Sequence, residues 1–381
     1  QRDAMSKISE ILSSLSNENR LRRIPNETGD GMLDLSSNDY LSLGLRCDEF
    51  REEFLDRFSD AAFSSSASRL LSVRQRHHNN LEEYLSTLYG KPALLFNSGY
   101  HANVGCVGAL SLPSSLFICD KLIHASVVDG LRMAGSEFKR FPHNDTKKLR
   151  MILERECGKH DRTIVIVESI YSMDGDLAPL QELITIKKEY PEGLLYVYEA
   201  HAFGVRGPRG LGLTEELDII NDIDLIIGTF GKAAASAGAF AVCSEDLKSL
   251  LINTARPFIF STAIPPVNVA WTHLMVEKIT GMETERKNLA QISRFFSENI
   301  ECISGTLTGS ESQIIPYITG DAAKAISVAA ALREKGIIAL PIRRPTVPPG
   351  GERIRFSLGA TMTEEILRPV LDLLENLRNE I

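Results

Sequence analysis

One lysine stands where a long amine could do chemistry. Lys232 lies in Gly228-Thr229-Phe230-Gly231-Lys232-Ala233-Ala234-Ala235-Ser236-Ala237-Gly238, directly after the apolar run Leu225-Ile226-Ile227. A buried strand that ends in small residues leaves a space, and the amine is aimed into it. Lysine is rarely buried without a partner or a task. Desolvation favours its neutral form, which attacks carbonyls and forms Schiff bases. Taken alone, the segment also fits a surface lysine on a Gly/Ala-rich loop.

Other polar residues with chemical potential also follow apolar runs. Asn97-Ser98-Gly99-Tyr100-His101 follows residues 93–96 and opens a helix. Amides at a helix N-terminus favour an anion such as phosphate. Gly99 permits close approach there, and Tyr100 can supply an aromatic wall. His124 follows residues 116–119 and could stack on a flat cofactor or serve as a satisfied structural histidine. Glu168, Ser172, Asp174 and Asp176 follow residues 164–167, and acids and hydroxyls at a strand end suit ligand contact. A Mg²⁺ site would have this as its only cluster. Tyr198-Glu199-Ala200-His201 follows residues 194–197. Neighbours on a strand face opposite sides, so Tyr198 and Glu199 cannot both meet one ligand.

The elements that must position these residues are legible from hydrophobic period. Short apolar runs at 93–96, 116–119, 164–167, 194–197, 225–227 and 239–242 alternate with helical patterns at 82–89, 101–110, 126–134, 147–155 and 180–190. Such alternation predicts an α/β fold with a mainly parallel sheet, whose ligands gather at the carboxyl ends of the strands. Residues 8, 11, 12 and 15 form an amphipathic N-terminal helix. A turn at 26–31 and a short strand near 32–35 follow. A long helix is expected over 266–300, then runs at 314–317, 338–342 and 354–357. A last helix starts near Thr361, with Glu364 completing a capping box. The expected division is an N-terminal segment 1–48, a large domain 49–265 and a smaller C-terminal α/β domain 266–381.

Composition narrows the function classes. The 381 residues carry 42 basic and 50 acidic side chains, a formal net charge of -8, which argues against a nucleic-acid binder. Short basic clusters at Arg20-Leu21-Arg22-Arg23 and Arg343-Arg344 suit a solvated face or the anionic groups of a substrate. Six scattered cysteines without a C-x-x-C pair read as reduced, mostly buried thiols in a cytoplasmic protein. Cys157 and His160 have ligand-like spacing but no second pair, so no metal is expected. No stretch has the length of a membrane span, and the N-terminus lacks a signal-peptide core. Gly228 to Lys232 is too short for a phosphate-binding G-x-x-x-x-G-K loop. Gly207 to Gly212 has the wrong glycine order for a dinucleotide fingerprint, and Ser172 lacks the G-x-S-x-G elbow.

The ordered set resembles a known family. Asn97 to Tyr100, His124-Ala125-Ser126, Ser172-Met173-Asp174-Gly175-Asp176, Glu199-Ala200-His201, Gly228 to Lys232 and Arg343 to Pro348 together resemble the α-oxoamine synthases. These are pyridoxal-phosphate enzymes of the aspartate-aminotransferase fold, and the likeness runs from about Ser36 to the C-terminus. The resemblance implies the cofactor pyridoxal 5'-phosphate and two catalytic residues, Lys232 and His124. Lys232 would hold the cofactor as a Schiff base and move the α-proton, and His124 would stack on its ring. Ser98, Gly99 and Tyr100 would line the cofactor site near the phosphate, with Thr229 touching it. Ser172 and His201 would lie near the ring and its 3-hydroxyl. Thr262 would reach the phosphate of a neighbouring subunit, which implies a homodimer. Arg355 would grip the amino-acid carboxylate, with Asn38 and Thr346 bordering the substrate. The implied partners are an amino acid and an acyl-CoA or acyl carrier protein. The Arg343 to Pro348 segment favours the member that condenses L-alanine with a pimeloyl thioester over one that uses glycine and acetyl-CoA.

Two positions depart from the family pattern. Tyr198 stands where the family places the aspartate that pairs with the ring nitrogen. A neutral phenol cannot supply that charge and is larger, so the expectation is weaker cofactor binding or a reduced rate. Ser64-Ser65-Ser66 stands where the family often has glycines, and serine tolerates fewer backbone conformations. Tyr198 also keeps open a non-catalytic partner subunit of the same fold, which the retained Lys232, His124, His201 and Arg355 oppose.

Overall fold

The computed structural model describes residues 4–24, 31–190 and 192–380; the turn expected at 26–31 lies outside them except for Gly31. The strands, in chain order, are β1 (Leu33–Asp34), β2 (Ala93–Phe96), β3 (Ser115–Asp120), β4 (Glu137–Phe141), β5 (Arg162–Glu168), β6 (Gly193–Tyr198), β7 (Leu225–Thr229), β8 (Ala239–Cys243), β9 (Ile314–Ile318), β10 (Ile337–Ile338), β11 (Pro341–Ile342) and β12 (Arg353–Ser357). Among the described residues, seven of them form one sheet in the order β2-β8-β7-β6-β5-β3-β4. β8 runs antiparallel to both of its neighbours, and the other pairings are parallel. The carboxyl ends of β2, β3, β5, β6 and β7 therefore share one edge, as the alternating pattern predicts.

Alternation along the inner strands divides the core between the two faces. Val165, Val167, Leu195 and Val197 pack into one apolar cluster, and Ile164, Ile166, Tyr196 and Tyr198 into the other. Both faces are covered, which is why these strands read as unbroken apolar runs. The second face is covered by α1 (Gly99–Leu110) and α2 (Ala125–Ala134), which contribute Cys106, Val107, Val127 and Leu131. Ser98 caps α1 by accepting from the His101 N–H, and His124 caps α2 through its ring nitrogen.

The C-terminal strands form a three-stranded antiparallel sheet, β11-β12-β9, and β1 pairs in parallel with β10. The helical stretch expected over 266–300 is two helices, α3 (Pro266–Gly281) and α4 (Glu283–Ser304), broken at Met282. The last helix, α5, spans Glu364–Glu380. The expected start at Thr361 is corrected: Thr363 Oγ1 accepts from the Ile366 N–H, while Thr361 hydrogen-bonds Ser42. Half of the six cysteines are exposed (Cys47, Cys157 and Cys302), so the thiols are not mostly buried. His160 Nε2 lies 3.3 Å from Glu156 Oε2. No described helix is long and apolar enough to cross a membrane.

Candidate active site

The shared strand edge opens into a cavity of about 1740 Å³. Lys232, His124, Ser172 and His201 line it, together with Asn38, Thr346 and Arg355. Six segments that are remote in sequence thus supply one site. Ser98, Gly99, Tyr100, Tyr198, Thr229 and Thr262 are not part of that lining. Tyr198 and Thr229 are buried, Ser98 and Gly99 are half-buried, and Tyr100 and Thr262 are exposed.

Lys232 follows β7 and is mostly enclosed. Burial pulls its amine down to about 8, opposed by the negative charge of Glu168 and reinforced by Arg355. About a tenth of such amines are neutral at pH 7, against a vanishing share for an ordinary lysine. His124 is also held below its usual range, by burial and then by the Lys232 charge. Its Nδ1 sits 2.7 Å from Ser126 Oγ, which fixes the ring's tilt. His201 is buried and driven well below the normal histidine range, by burial first and then by Lys232 and Arg355. A neutral imidazole there hydrogen-bonds Tyr40 Oη through Nδ1 at 2.6 Å.

Arg355 is positioned before any substrate arrives. Its Nε donates to the Ser172 carbonyl at 2.5 Å, and its two terminal nitrogens each lie 3.3 Å from Asn38 Oδ1. Arg353, two residues earlier on β12, donates to Asp174 at 2.6 Å and so anchors the same loop. Gly175 makes the loop possible. Its φ is +74°, and a Cβ there would lie 2.1 Å from the Ile314 carbonyl. Behind Ser172, His143 bridges Asp120 at 2.9 Å and Asp176 at 2.6 Å.

An anion has a place at α1. The His101 and Ala102 amides bond to Ser98, which leaves the Gly99 and Tyr100 amides of the first turn without intrahelical partners. The Tyr100 hydroxyl donates to Asp129 at 2.9 Å. Thr229 is buried, with its hydroxyl 3.5 Å from the Ala200 carbonyl. The Thr262 carbonyl accepts from the Asn97 side chain at 2.7 Å.

The position of Tyr198 decides how well the site suits pyridoxal phosphate. Tyr198 is 3% exposed, its ring is centred 5.8 Å from that of His124, and a Cβ on Gly99 would lie 2.6 Å from its hydroxyl. Only glycine at position 99 admits it. Burial and the nearby Glu168 charge push its phenol above the usual range, so it stays neutral. Glu199 is no substitute. It points to the other face, accepting from Ser169 Oγ at 2.5 Å and from the Leu213 and Thr214 amides. Glu168 is fully buried, and neither of its carboxylate oxygens has a hydrogen-bond partner. An unpaired buried polar group costs about 1–3 kcal/mol. The amine, the flanking imidazole, the free helix amides and the arginine fit the cofactor; the neutral phenol of Tyr198 does not supply the acid that a protonated ring nitrogen would need.

Sequence reasoning missed three contributors. Tyr40 holds His201 and also donates to Asn38 at 3.0 Å. Gln313 donates to the His201 carbonyl at 2.8 Å, and Arg353 anchors the loop. Only Tyr40 had a usable signal, an aromatic residue closing the polar segment 36–39. The other two act across the fold.

This fold and site define a class of enzyme. The family model for aminotransferase class I and II matches residues 30–374, and the chain belongs to that family. Among its relatives, a putative 8-amino-7-oxononanoate synthase of Haemophilus influenzae is 46% identical over 369 residues, 94% of this chain and 97% of that protein. Solved structures agree. One of SPT with PLP internal aldimine has a TM-score of 0.89 at 27% identity, covering all of both chains. Another, 8-amino-7-oxononanoate synthase from Francisella tularensis, has a TM-score of 0.80 at 25% identity, covering 92% of this chain and 99% of that one.

Proposed function

We propose that this chain is a pyridoxal-phosphate-dependent α-oxoamine synthase that joins L-alanine to a pimeloyl thioester, yielding 8-amino-7-oxononanoate for biotin synthesis. The observation that carries this reading is the convergence of Lys232, His124, His201, Ser172 and Arg355 on one cavity at the strand ends. The names of the relatives support the same product. When bound, the cofactor supplies an electron sink for the amino acid's α-carbon. The protein's residues do the rest. Lys232 Nζ holds the cofactor and moves the α-proton, for which an amine near 8 is suited. His124 covers one face of the ring. Ser98, Gly99, Tyr100 and Thr229 hold the phosphate, and Thr262 reaches the phosphate of a second subunit. His201 and Ser172 meet the ring's 3-hydroxyl. Arg355 takes the carboxylate of alanine, bordered by Asn38 and Thr346. Overall a carbon–carbon bond forms, and the thiol and carbon dioxide leave.

The same reading makes the protein a homodimer that takes its acyl group from coenzyme A or a carrier protein. It divides the chain at residues 48 and 265 into an N-terminal segment, a large domain and a small domain. Tyr198 favours a slow enzyme over a differently specific one. The test is product analysis by mass spectrometry with alanine or glycine, each paired with pimeloyl-CoA or acetyl-CoA. The alanine–pimeloyl pair should react at least roughly tenfold faster than the glycine–acetyl pair. Preference for the glycine–acetyl pair would make the chain a glycine C-acetyltransferase. No turnover with any pair, together with no cofactor binding, would make it a partner subunit.

A further inference from the structure

Glu168 closes β5 and is the register partner of Tyr198 at the end of β6. Register partners on parallel strands emerge on the same face, here the face that also carries Ile164 and Ile166. Glu168 is completely buried, and neither oxygen meets full hydrogen-bond geometry with any described group, although the His124 amide lies near enough to favour its charged form. The neighbouring acids are satisfied. Glu199 takes bonds from Ser169, Leu213 and Thr214, and Asp120 from His143, Leu122 and Asn144. Buried carboxyls usually keep partners, so Glu168 is left free to take one from outside the chain. In its ionised form it would favour the charged form of Lys232, the amine that the cofactor would occupy.

This argument rests on the pyridoxal-phosphate reading above. A pyridine ring withdraws electrons best when its nitrogen carries a proton, and an acidic group must hold that proton. Tyr198 cannot, because it is neutral. We propose that Glu168 is the acidic group that holds the cofactor's ring nitrogen protonated in this chain, in place of the aspartate that Tyr198 replaces. Glutamate carries one methylene more than aspartate and reaches from the adjacent strand, one spacing of about 4.8 Å away. Burial pushes Glu168 up to about 8, so at neutral pH it mostly carries a proton before any cofactor binds. With the pyridine nitrogen beside it, that proton passes to the nitrogen, and the carboxylate left behind holds the charged ring as an ion pair.

The test loads the full-length protein with pyridoxal phosphate labelled with nitrogen-15 in the ring. The ring-nitrogen resonance and the cofactor dissociation constant are then read for the parent, Glu168→Gln, Tyr198→Asp and the double variant. The expected parent signal is a protonated nitrogen. Glu168→Gln should lose it and bind the cofactor roughly tenfold or more weakly. Tyr198→Asp should restore both in the Glu168→Gln background, which a loss of folding would not allow. A protonated nitrogen and unchanged affinity in Glu168→Gln would overturn the proposal and leave the cofactor reading standing. So would an unprotonated nitrogen in the loaded parent. Failure of the parent to bind cofactor would overturn the cofactor reading and the proposal together. Should Glu168→Gln not fold, carboxyl-labelled glutamate in the parent decides. A buried glutamate signal that shifts on loading supports the proposal, and one that does not shift overturns it.

Discussion

At the scale of single residues, the chain carries its departures from the family pattern at local expense. Ser66 sits at φ +52°, in the left-handed region that glycine favours. Its N–H donates to Ser64 Oγ at 3.0 Å, so the serines partly compensate for the glycine they stand in for. Ser66→Gly should therefore stabilise the protein by about 1 kcal/mol. Chemical denaturation reads this directly, and an unchanged or lower midpoint would show that the turn is not strained. Lys232, by contrast, could be singled out from type and place, but its segment alone also fits a surface lysine; its position in the cavity lining is what the fold adds. Glu168 was visible only as one acid among several. Its meaning comes from the register that sets it beside Tyr198 and from its lack of a partner, neither of which a sequence displays.

Among the elements, the loop from Ile170 to Leu177 shows how the fold holds a reactive edge in place. His143 is clamped between Asp120 and Asp176 and stacks edge-on against Tyr171 at 4.4 Å. Burial opposes the charged ring, but the bonds to the two aspartates outweigh it and hold the histidine up at about 10. A folded-state pKa raised above the ordinary 6.5 adds stability that is fully present below about pH 6.5 and is lost as pH rises toward 10. The stability gap between the parent and His143→Gln should therefore be largest near pH 6 and close toward pH 10. Denaturant midpoints across that range test it, and a gap independent of pH would contradict the clamp. Most elements were readable from period. β4 was not, because Glu137-Phe138-Lys139-Arg140-Phe141 has three charged residues in five and no apolar run, and it lies at the sheet's edge. The break at Met282 was hidden because the apolar pattern continues through it.

Taken as a whole, the molecule presents apolar surface that a single chain does not cover. Phe63, Leu71, Val73 and Phe260 are all at least 70% exposed. The Ala263 N–H bonds to the Ala67 carbonyl, which brings the two segments that carry these residues side by side. Thr262, proposed to serve a second subunit's phosphate, lies in the same region. Patches of this kind mark interaction sites. The expectation is a mass of two chains by sedimentation. Thr262→Ala should leave that mass intact while weakening cofactor binding severalfold. A monomer that turns over normally would contradict shared sites. Sequence order could place the strand ends on one edge, but it could not show that the N-terminal arm reaches the site, where Arg22 donates to Thr346 at 2.9 Å.

The account stands on Lys232 as the residue that holds the cofactor. The most direct measurement is borohydride reduction of the protein incubated with pyridoxal phosphate, followed by digestion and peptide mass spectrometry. A pyridoxyl group on the peptide containing Lys232, absent when Lys232→Ala is treated in the same way, is the predicted result. An unmodified Lys232, or modification spread over surface lysines in both proteins, would contradict it.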